Sequence, residues 1–308
     1  MKIVFLDAAT MGDVSFEPFE RLGDFVSYAA SSAEEARDRV ADADVLMINK
    51  VQVNKELIDA AGSLKLICVA ATGVNNIDVD YAASKGIPVR NVAGYSTDSV
   101  AQATFMHILS LAGGAPYFDD SVKSGSYSRS GMFTDPHWNW WELAGKTIGI
   151  IGMGNIGKKV ACIAEAFGMK VCYYSTSGTG HCKDYPCLPL EELLKVSDVV
   201  SVHAPLNERT QNLLGAKEFA MMKPTAYVVN AGRGAIIVEA DLADAVDNGV
   251  IAGAGIDVFV QEPVPEDHPY LKMKHPERMR LAPHVAWASV EARNRLVAMM
   301  AENVKKGW

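Results

Sequence analysis

The stretch Thr147-Ile-Gly-Ile-Ile151 runs directly into Gly152-Met-Gly154-Asn-Ile-Gly157, and residues 158–167 have helical periodicity. The first stretch is apolar and rich in β-branched residues, as a buried strand is. Glycines at this spacing between a strand and a helix permit a tight turn, let backbone approach a pyrophosphate, and let the helix pack on the strand. The helix N-terminus then presents unpaired N–H groups to the phosphates. We therefore predict a dinucleotide site here, in preference to a Gly-rich turn that binds nothing.

Short β-rich runs alternate with helical stretches over the whole chain, which is typical of βαβ units around parallel sheets. In the first third, strands are predicted over 2–6, 45–49, 66–70 and 89–91. Helices are predicted over 34–40, 55–61 and 79–85. A long helix over 97–111 leads into an irregular Gly, Ser and aromatic segment, 124–141, where we expect no regular structure.

A second alternating series follows that segment. Its strands are predicted over 147–151, 170–174, 198–203, 227–230, 255–259 and 280–282. The last segment, 289–306, is helical and has no strand after it, so we expect it to pack on a sheet formed earlier in the chain. His107 lies on the apolar face of its helix and is predicted to be a core residue. Trp138, Trp140 and Trp141 are interpreted as packing or interface aromatics.

Composition excludes several classes of partner. The 308 residues carry 29 basic and 37 acidic side chains, a formal net charge of −8, which disfavours nucleic acid and anionic membrane surfaces. No run approaches the roughly 18 apolar residues that a membrane span needs. The apolar run at the N-terminus ends at Asp7 after about four residues, too short for a secretory signal. We therefore expect a cytoplasmic protein that binds neither nucleic acid nor membrane.

The five cysteines are odd in number and suit reduced thiols. Cys182 and Cys187 lie beside His181, but their spacing fits no zinc pattern and no second ligand pair is present. We therefore expect no metal.

The second strand of the dinucleotide motif ends at Ser175, where an acidic residue normally binds the ribose 2′-hydroxyl. Ser175, Thr176 and Ser177 stand there instead. Without a carboxylate a 2′-phosphate is not repelled, and the small hydroxyl and N–H donors can accept it. No arginine stands in this segment to bind the phosphate. The cofactor is therefore predicted to be NAD or NADP, with use of both, while an ordinary Ser/Thr turn remains the alternative.

Three further segments follow predicted strands at the edge where parallel sheets place ligand groups. They are Asn230-Ala-Gly-Arg233-Gly, Asp257-Val-Phe-Val-Gln-Glu262-Pro and Ala282-Pro-His284-Val-Ala-Trp287. A dinucleotide-dependent oxidoreductase adds hydride to an acceptor such as a carbonyl group, and the negative charge that develops on oxygen is stabilised by a cation and a proton donor. A guanidinium holds carboxylate and carbonyl with planar geometry, an imidazole exchanges a proton near neutral pH, and a carboxylate fixes the imidazole tautomer. Each residue also has a plainer alternative, as a surface cation, a loop carboxylate or a structural histidine.

At this point the sequence closely resembles the D-isomer-specific 2-hydroxyacid dehydrogenase family over nearly its whole length. The resemblance rests on the glycine loop, on the three segments above, and on Ala71-Thr-Gly73-Val-Asn-Asn-Ile-Asp78, Gly94-Tyr-Ser-Thr97, Ser99-Val-Ala-Gln102 and Val202-His203-Ala-Pro205-Leu with Thr210. Asn49-Lys50-Val51 and His284-Val-Ala-Trp287 are similar to the branch of glycerate dehydrogenases and hydroxypyruvate reductases.

The resemblance implies a role for each matching residue. Arg233 is expected to anchor and polarise the substrate, Glu262 to pair with the histidine, and His284 to act as acid and base. Substrate contacts are expected at Lys50, Gly73, Val74 and Arg233. Cofactor contacts are expected at Thr97, Gly152, Gly154, Asn155, Ile156, Gly157, Ser175, Thr176, His203, Ala204, Pro205, Thr210, Ala231, Asp257 and His284.

The predicted fold is therefore α/β, with a Rossmann cofactor domain at 97–287 inserted into a flavodoxin-like substrate domain made of 1–96 and 288–308. The implied activity is NAD(P)H-dependent hydride transfer to a small 2-keto acid, glyoxylate or hydroxypyruvate, in a homodimer. Two alternatives stay open: a phosphoglycerate dehydrogenase, which needs further cations for its phosphate, and a non-catalytic protein that senses the dinucleotide.

Overall fold

The structure, a computed structural model, describes residues 1–308. Its chain forms two compact units: unit 1 is made of Met1–Ser96 and Trp287–Trp308, and unit 2 of Thr97–Ala286. The second boundary lies one residue earlier than expected, because the Trp287 ring packs edge-on against Tyr95 within unit 1, at a centroid distance of 6.3 Å. No helix of either unit is both long enough and apolar enough to traverse a lipid bilayer.

Unit 1 is built on a five-stranded parallel sheet with strands β1 Lys2–Phe5, β2 Asp24–Ser27, β3 Val45–Ile48, β4 Leu66–Val69 and β5 Val89–Arg90. Its helices are α1 Glu17–Glu20, α2 Ala33–Val40, α3 Lys55–Ala60, α4 Val79–Ser84 and, at the end of the chain, α12 Val290–Lys305. The strand order β2-β1-β3-β4-β5 is the flavodoxin-like order of a doubly wound sheet. Strands β3 and β4 are buried along their whole length, which explains their unbroken apolar sequences.

Side-chain caps fix where several helices of unit 1 begin. At α2, the Ser32 hydroxyl accepts the Glu35 N–H and the Glu35 carboxylate accepts the Ser32 N–H, a capping box. The side chains of Asn54, Asp78 and Ser289 accept N–H groups in the first turns of α3, α4 and α12. Caps of this kind stabilise a helix by about 1 kcal/mol each.

Helix α12 completes the core of unit 1. Its buried residues Leu296 and Met300 lie in the same apolar cluster as Phe5 of β1 and Met47 of β3. Burying such a side chain contributes about 1.5–3 kcal/mol. The closing helix therefore packs on the first sheet of the chain and needs no strand of its own.

Unit 2 is built on a six-stranded parallel sheet with strands β6 Thr147–Ile151, β7 Lys170–Tyr174, β8 Val199–Val202, β9 Tyr227–Asn230, β10 Gly253–Ile256 and β11 Met279–Leu281. Its helices are α5 Thr97–Ala112, α6 Ala115–Lys123, α7 Ser126–Ser130, α8 Asn155–Ala166, α9 Leu190–Val196, α10 Ala216–Phe219 and α11 Glu239–Asp247. The strand order is β11-β10-β9-β8-β6-β7.

A single parallel bridge extends this sheet beyond β7. Tyr173 pairs with Cys187, with the Tyr173 N–H donated to Pro186 O and the Leu188 N–H to Tyr173 O. Counting this bridge as a third strand, the order from that edge is 3-2-1-4-5-6-7, the Rossmann order with one strand added. The predicted fold class, a Rossmann sheet and a flavodoxin-like sheet in one chain, is confirmed.

The structure differs from the sequence predictions at three places. Strand β2 was not predicted, because it is a half-exposed edge strand with Asp24 and Ser27 at its ends and little apolar alternation. The segment 124–141, expected to lack regular structure, contains the short helix α7, which lies between Gly125 and Gly131, both in left-handed conformation. Strand β10 begins at Gly253 and ends at Ile256, so the predicted range was displaced toward the loop that follows.

His107 is a core residue of α5, as predicted. It is 3% exposed, and its Nε2 has no hydrogen-bond partner. Burial lowers the pKa of its imidazole to about 4, with a smaller contribution from Arg280. Gly255 of β10 makes room for it, since a Cβ there would lie 2.6 Å from His107 Cβ. The imidazole is therefore neutral in the folded protein near neutral pH.

Candidate active site

The three glycines between β6 and α8 have three different surroundings. Gly152 is in left-handed conformation (φ +94°), and a Cβ there would lie 2.7 Å from Ala204 N. A Cβ on Gly157 would lie 2.3 Å from Gly152 O, because α8 packs closely on the turn. A Cβ on Gly154 would meet nothing within 4 Å. Only Gly154 therefore borders open space into which a ligand can come close to the backbone.

The beginning of α8 is free of side-chain caps. Gly154 is its N-cap residue and forms no side-chain hydrogen bond, and Gly154 and Asn155 are exposed. The first N–H groups of an uncapped helix bind an anion readily. The open space at Gly154 and these N–H groups thus fit a dinucleotide pyrophosphate, the group that the glycine pattern predicts.

The end of β7 adjoins the glycine loop, since the Gly152 N–H is donated to Tyr174 O at 3.0 Å. Beyond it, Ser175 Oγ donates to Thr179 O at 2.5 Å and lies 3.0 Å from Ser177 Oγ. This turn carries no carboxylate, as the sequence indicates. An arginine does reach it: Arg209 Nη1 donates to Ser177 O at 3.2 Å. The segment itself contains no arginine, as its sequence shows, but Arg209 reaches it from a loop 32 residues further along the chain.

Hydrogen bonds between its own residues hold the loop after β8. Thr210 is fully buried, and its Oγ1 donates to Pro205 O at 2.6 Å and accepts the Asn207 N–H at 2.9 Å. His203 Nε2 lies 2.8 Å from Ser201 Oγ, while its buried Nδ1 has no protein partner. Burial lowers the pKa of His203 to about 4, so this imidazole is neutral near neutral pH.

Arg233 follows β9 and is positioned by Asn230. Asn230 Nδ2 donates to Arg233 O at 2.9 Å, and Asn230 Oδ1 accepts the Gly232 N–H at 3.0 Å. The guanidinium donates one bond, from Nη1 to Gly232 O at 2.8 Å, which leaves its other N–H groups without a protein acceptor. A Cβ on Gly234 would lie 2.0 Å from Phe259 C, so glycine here lets the Arg233 loop touch the loop that follows β10.

Glu262 and His284 form a charge-assisted pair. His284 Nδ1 lies 2.6 Å from Glu262 Oε2, while Glu262 Oε1 accepts the Phe259 N–H at 3.0 Å. Both side chains are partly exposed, 23% for His284 and 32% for Glu262. With Nδ1 engaged by the carboxylate, Nε2 is the imidazole nitrogen that remains for exchange of a proton with a ligand.

The turn that carries His284 is held by Asp257. His284 has a left-handed backbone (φ +54°), a conformation that most residues avoid. The Asp257 carboxylate accepts the N–H groups of Val285 and Ala286 at 2.9 to 3.1 Å, and Asp257 O accepts the His284 N–H at 2.7 Å. Burial raises the pKa of Asp257. Asp257 is 1% exposed, so in this structure it acts on the backbone that aims the imidazole.

The loop that carries Glu262 is also held by a residue of α11, Glu239. Glu239 Oε1 accepts the Val260 N–H at 2.9 Å, and Glu239 Oε2 lies 3.0 Å from Nε2 of the buried His268. Sequence reasoning missed Glu239, His268 and Arg209. Their partners are 21 to 32 residues away in sequence, and no motif links them.

The residues expected to bind substrate through unit 1 lie on two neighbouring loops. Lys50 follows β3, and the buried Asp7 accepts the N–H groups of Asn49, Lys50 and Val51 at 2.5 to 3.0 Å. Gly73 and Val74 follow β4, and Val74 packs against the core of the unit. Asp7 thus fixes the backbone on which Lys50 is carried.

The three residues of the expected triad come from adjacent strands of unit 2. Arg233, Glu262 and His284 follow the C-terminal ends of β9, β10 and β11, which are neighbours in the sheet. The glycine loop follows β6 at the same edge, where doubly wound sheets bind their ligands. In neither unit do three or more His, Cys, Asp or Glu side chains gather in a way that would hold a metal ion.

Known proteins are similar to this chain in sequence and in structure. Residues 105–286 match the model of the NAD-binding domain of D-isomer-specific 2-hydroxyacid dehydrogenases. A hydroxypyruvate reductase of Blautia hydrogenotrophica is 35% identical over 99% of this chain and 96% of its own length. A glycerate dehydrogenase of Methylorubrum extorquens is 35% identical over 99% and 95%. The crystal structure of an NADPH-dependent glyoxylate/hydroxypyruvate reductase from Sinorhizobium meliloti has a TM-score of 0.84 and 28% identity, covering 99% of this chain and 93% of that one. The chain therefore belongs to the D-isomer-specific 2-hydroxyacid dehydrogenase family, the NAD(P)-dependent enzymes that its motifs resemble.

Proposed function

We propose that this enzyme reduces the small 2-keto acids glyoxylate and hydroxypyruvate to their 2-hydroxy acids. The observation that carries the proposal is the 2.6 Å contact between His284 Nδ1 and Glu262 Oε2. It joins the loops that follow β11 and β10, and Arg233 lies in the loop that follows β9, the next strand of the sheet. The names of the relatives in Blautia, Methylorubrum and Sinorhizobium support this choice of substrate.

In this proposal His284 is the general acid of reduction. When bound, the reduced nicotinamide supplies the hydride that adds to the keto carbon. The carbonyl oxygen then gains negative charge, and His284 Nε2 donates a proton to it. Glu262 holds the ring through Nδ1 and stabilises the imidazolium from which the proton leaves. In oxidation the same nitrogen accepts the proton.

Arg233 binds and polarises the substrate. Its unengaged guanidinium N–H groups suit the carboxylate and the carbonyl oxygen together, because planar donors match a 2-keto carboxylate. Donors aimed at the oxygen where charge develops lower the barrier most effectively. Lys50 and the backbone at Gly73 and Val74 supply further substrate contacts, so unit 1 serves as the substrate domain.

Unit 2 serves as the cofactor domain. The pyrophosphate lies at the glycine loop and the start of α8, and the adenosine lies along the turn that begins at Ser175. The other proposed contacts come from the start of α5, from the loop ends of β8 and β9, and from the turn that carries His284: Thr97, Asn155, Ile156, Thr176, His203, Ala204, Pro205, Thr210, Ala231 and Asp257.

Steady-state kinetics with a panel of keto acids tests the proposal. Glyoxylate, hydroxypyruvate, pyruvate and phosphohydroxypyruvate are each reduced with NADH and with NADPH, and loss of the reduced nicotinamide is followed by absorbance. We expect the highest kcat/KM for glyoxylate or hydroxypyruvate. A preference for the phosphorylated acid would identify a phosphoglycerate dehydrogenase. Tight dinucleotide binding with no turnover of any keto acid would identify a sensor.

We further propose a homodimer. Several large apolar side chains of α5, α6 and the segment after α7 are exposed, with Phe133 at 92% and Trp140 at 60%. Such side chains on neighbouring elements are typical of protein interfaces. Light scattering coupled to size exclusion measures the mass directly. We expect Phe133→Asp to shift the equilibrium toward monomer, and a monomeric wild-type protein at micromolar concentration would refute the proposal.

We place the enzyme in the cytoplasm. All five cysteines are free, and Cys162 and Cys187 are exposed, which suits a reducing compartment. Fractionation of the source cells, with the enzyme detected by antibody, tests this location.

A further inference from the structure

The turn that follows β7 concentrates polar groups at one point of unit 2. The Gly178 N–H is donated to Ser175 O at 3.3 Å, and Gly178 has a left-handed backbone (φ +86°). His181 Nε2 lies 3.0 Å from Ser177 Oγ and 3.0 Å from Thr179 Oγ1. Residues 175–181 contain no acidic side chain. The turn is therefore closed by a backbone hydrogen bond, is rich in hydrogen-bond donors, and contains no carboxylate.

Arg209 adds a cation to this turn. Its Nη1 donates to Ser177 O at 3.2 Å, and a Cβ on Gly178 would lie 3.8 Å from the same nitrogen. The backbone of Arg209 is fixed from its own loop, since its N–H is donated to Asn207 Oδ1 at 2.9 Å. The residue is exposed, and no acidic side chain pairs with it. Its remaining guanidinium N–H groups thus face solvent beside the hydroxyls of the turn.

The position of this cation determines what it can recognise. In a Rossmann sheet the adenosine ribose lies at the end of the second strand, where a carboxylate selects the 2′-hydroxyl of NAD and an arginine accommodates the 2′-phosphate of NADP. Here that strand is β7, the carboxylate is absent, and the arginine is supplied by the loop after β8. A phosphate monoester matches a guanidinium flanked by hydroxyl donors.

We propose that Arg209, together with the hydroxyls of Ser175 and Ser177 and with His181, forms a binding site for the 2′-phosphate of NADPH and makes the enzyme prefer NADPH to NADH. This inference deepens the proposed function and rests on its assignment of the dinucleotide to unit 2. Arg209 is then a specificity-determining residue, since it binds the one phosphate that NADH lacks.

Direct binding separates this inference from the proposed function. The full-length enzyme is titrated by calorimetry with 2′,5′-ADP, which carries the 2′-phosphate, and with 5′-ADP, which does not. NADPH and NADH are titrated by the fluorescence of the reduced nicotinamide. We expect wild type to bind 2′,5′-ADP and NADPH at least tenfold more tightly than 5′-ADP and NADH, about 1.4 kcal/mol. Increasing salt should weaken the 2′-phosphorylated ligands more.

Two variants and one control assign the effect to the turn. Arg209→Gln should raise the Kd of 2′,5′-ADP and NADPH at least tenfold and change that of NADH less than twofold. Ser175→Asp should do the same to NADPH by placing a carboxylate against the phosphate, and should tighten NADH. Arg278→Gln is the matched control, because Arg278 Nη1 also donates to a single backbone carbonyl, Val246 O, at 3.2 Å. It should leave all four Kd values unchanged.

The outcomes distinguish failure of the 2′-phosphate site from failure of the proposed function. If NADH and NADPH bind equally to wild type and Arg209→Gln changes neither, the 2′-phosphate site is refuted while the proposed function stands. If Arg278→Gln weakens NADPH as much as Arg209→Gln does, the effect belongs to overall charge and the inference is also refuted. If neither dinucleotide binds, the proposed function itself fails.

Discussion

The two exchanges Gly154→Ala and Gly157→Ala introduce the same methyl group three residues apart, yet the structure gives them opposite consequences. A Cβ on Gly154 meets nothing within 4 Å, and φ at this residue is −81°, which alanine adopts without strain. A Cβ on Gly157 would lie 2.3 Å from Gly152 O and 3.2 Å from Ile150 Cγ2. The first methyl therefore enters the space assigned to the ligand, and the second enters the core.

The magnitudes follow from these surroundings. Replacing glycine by alanine at a compatible position stabilises a protein by about 0.4–1 kcal/mol through the unfolded chain, and the poorer N-cap quality of alanine offsets part of this. We expect the free energy of unfolding of Gly154→Ala to stay within about 1 kcal/mol of wild type. Overpacking at Gly157 should lower it by about 1–3 kcal/mol or more. Dinucleotide affinity should fall at least tenfold in Gly154→Ala, about 1.4 kcal/mol.

Two assays on each variant separate fold from ligand binding. Urea denaturation without cofactor, followed by circular dichroism, measures stability, and titration with NADPH measures Kd. We expect Gly154→Ala to be stable and to bind NADPH poorly, and Gly157→Ala to be destabilised. A stable Gly154→Ala with wild-type Kd would refute the placement of the pyrophosphate at Gly154. An equally stable Gly157→Ala would refute the close packing of α8 on the turn.

Three further predictions concern the histidines and Glu262. His284→Ala should lower kcat at least 10²-fold, as loss of a general acid does, and should leave the Kd of NADPH unchanged. The control is His275→Ala, because His275 Nδ1 also pairs with a carboxylate, that of Glu277, at 3.2 Å. Near-native kcat in His284→Ala would contradict the assignment. Glu262→Gln should lower kcat about tenfold or more, because the carboxylate that holds the imidazole through Nδ1 is gone. Near-native kcat would show that Glu262 is only a loop residue. The pKa of buried His107 is lowered to about 4 from about 6.5 in the unfolded chain, so the unfolded state binds more protons between these values and stability is lost as pH falls through this window. At 1.36 kcal/mol per pH unit, the free energy of unfolding should fall by about 2 kcal/mol between about pH 7 and pH 5. His107→Leu should remove that part of the pH dependence measured by urea unfolding. If the variant keeps the pH dependence of wild type, His107 is not the group responsible.

Local sequence patterns were sufficient to predict an element wherever the interacting residues are neighbours in sequence. The strand, glycine loop and helix at 147–167 follow from neighbouring residues, because the turn, the packing of α8 and the anion site all involve groups within about one helical turn of the motif. The family resemblance rests on such contiguous motifs, and the comparisons confirm it. The closing helix was likewise predictable as a helix, since its apolar periodicity is local.

The edges of the sheets show where local patterns stop being informative. Strand β2 has little apolar alternation, and it is a strand because β1 offers it backbone partners at Lys2 to Phe5. The bridge at Cys187 that completes the Rossmann order depends in the same way on Tyr173. Edge pairing is a property of the neighbouring strand as much as of the segment itself.

The sequence by itself determined the fold class and the glycine motif, and it singled out Arg233, Glu262 and His284 as the candidate triad, because strand ends and glycine spacing are encoded within short segments. Only the tertiary structure decided how these groups are held and what else joins them. The Asp257 carboxylate, an expected cofactor contact, holds the His284 turn through the N–H groups of Val285 and Ala286, and Arg209 reaches Ser177 from another loop. The physical reason is that hydrogen bonds between loops depend on which strand ends the sheet brings together, and strand order is set by long-range packing of the whole unit.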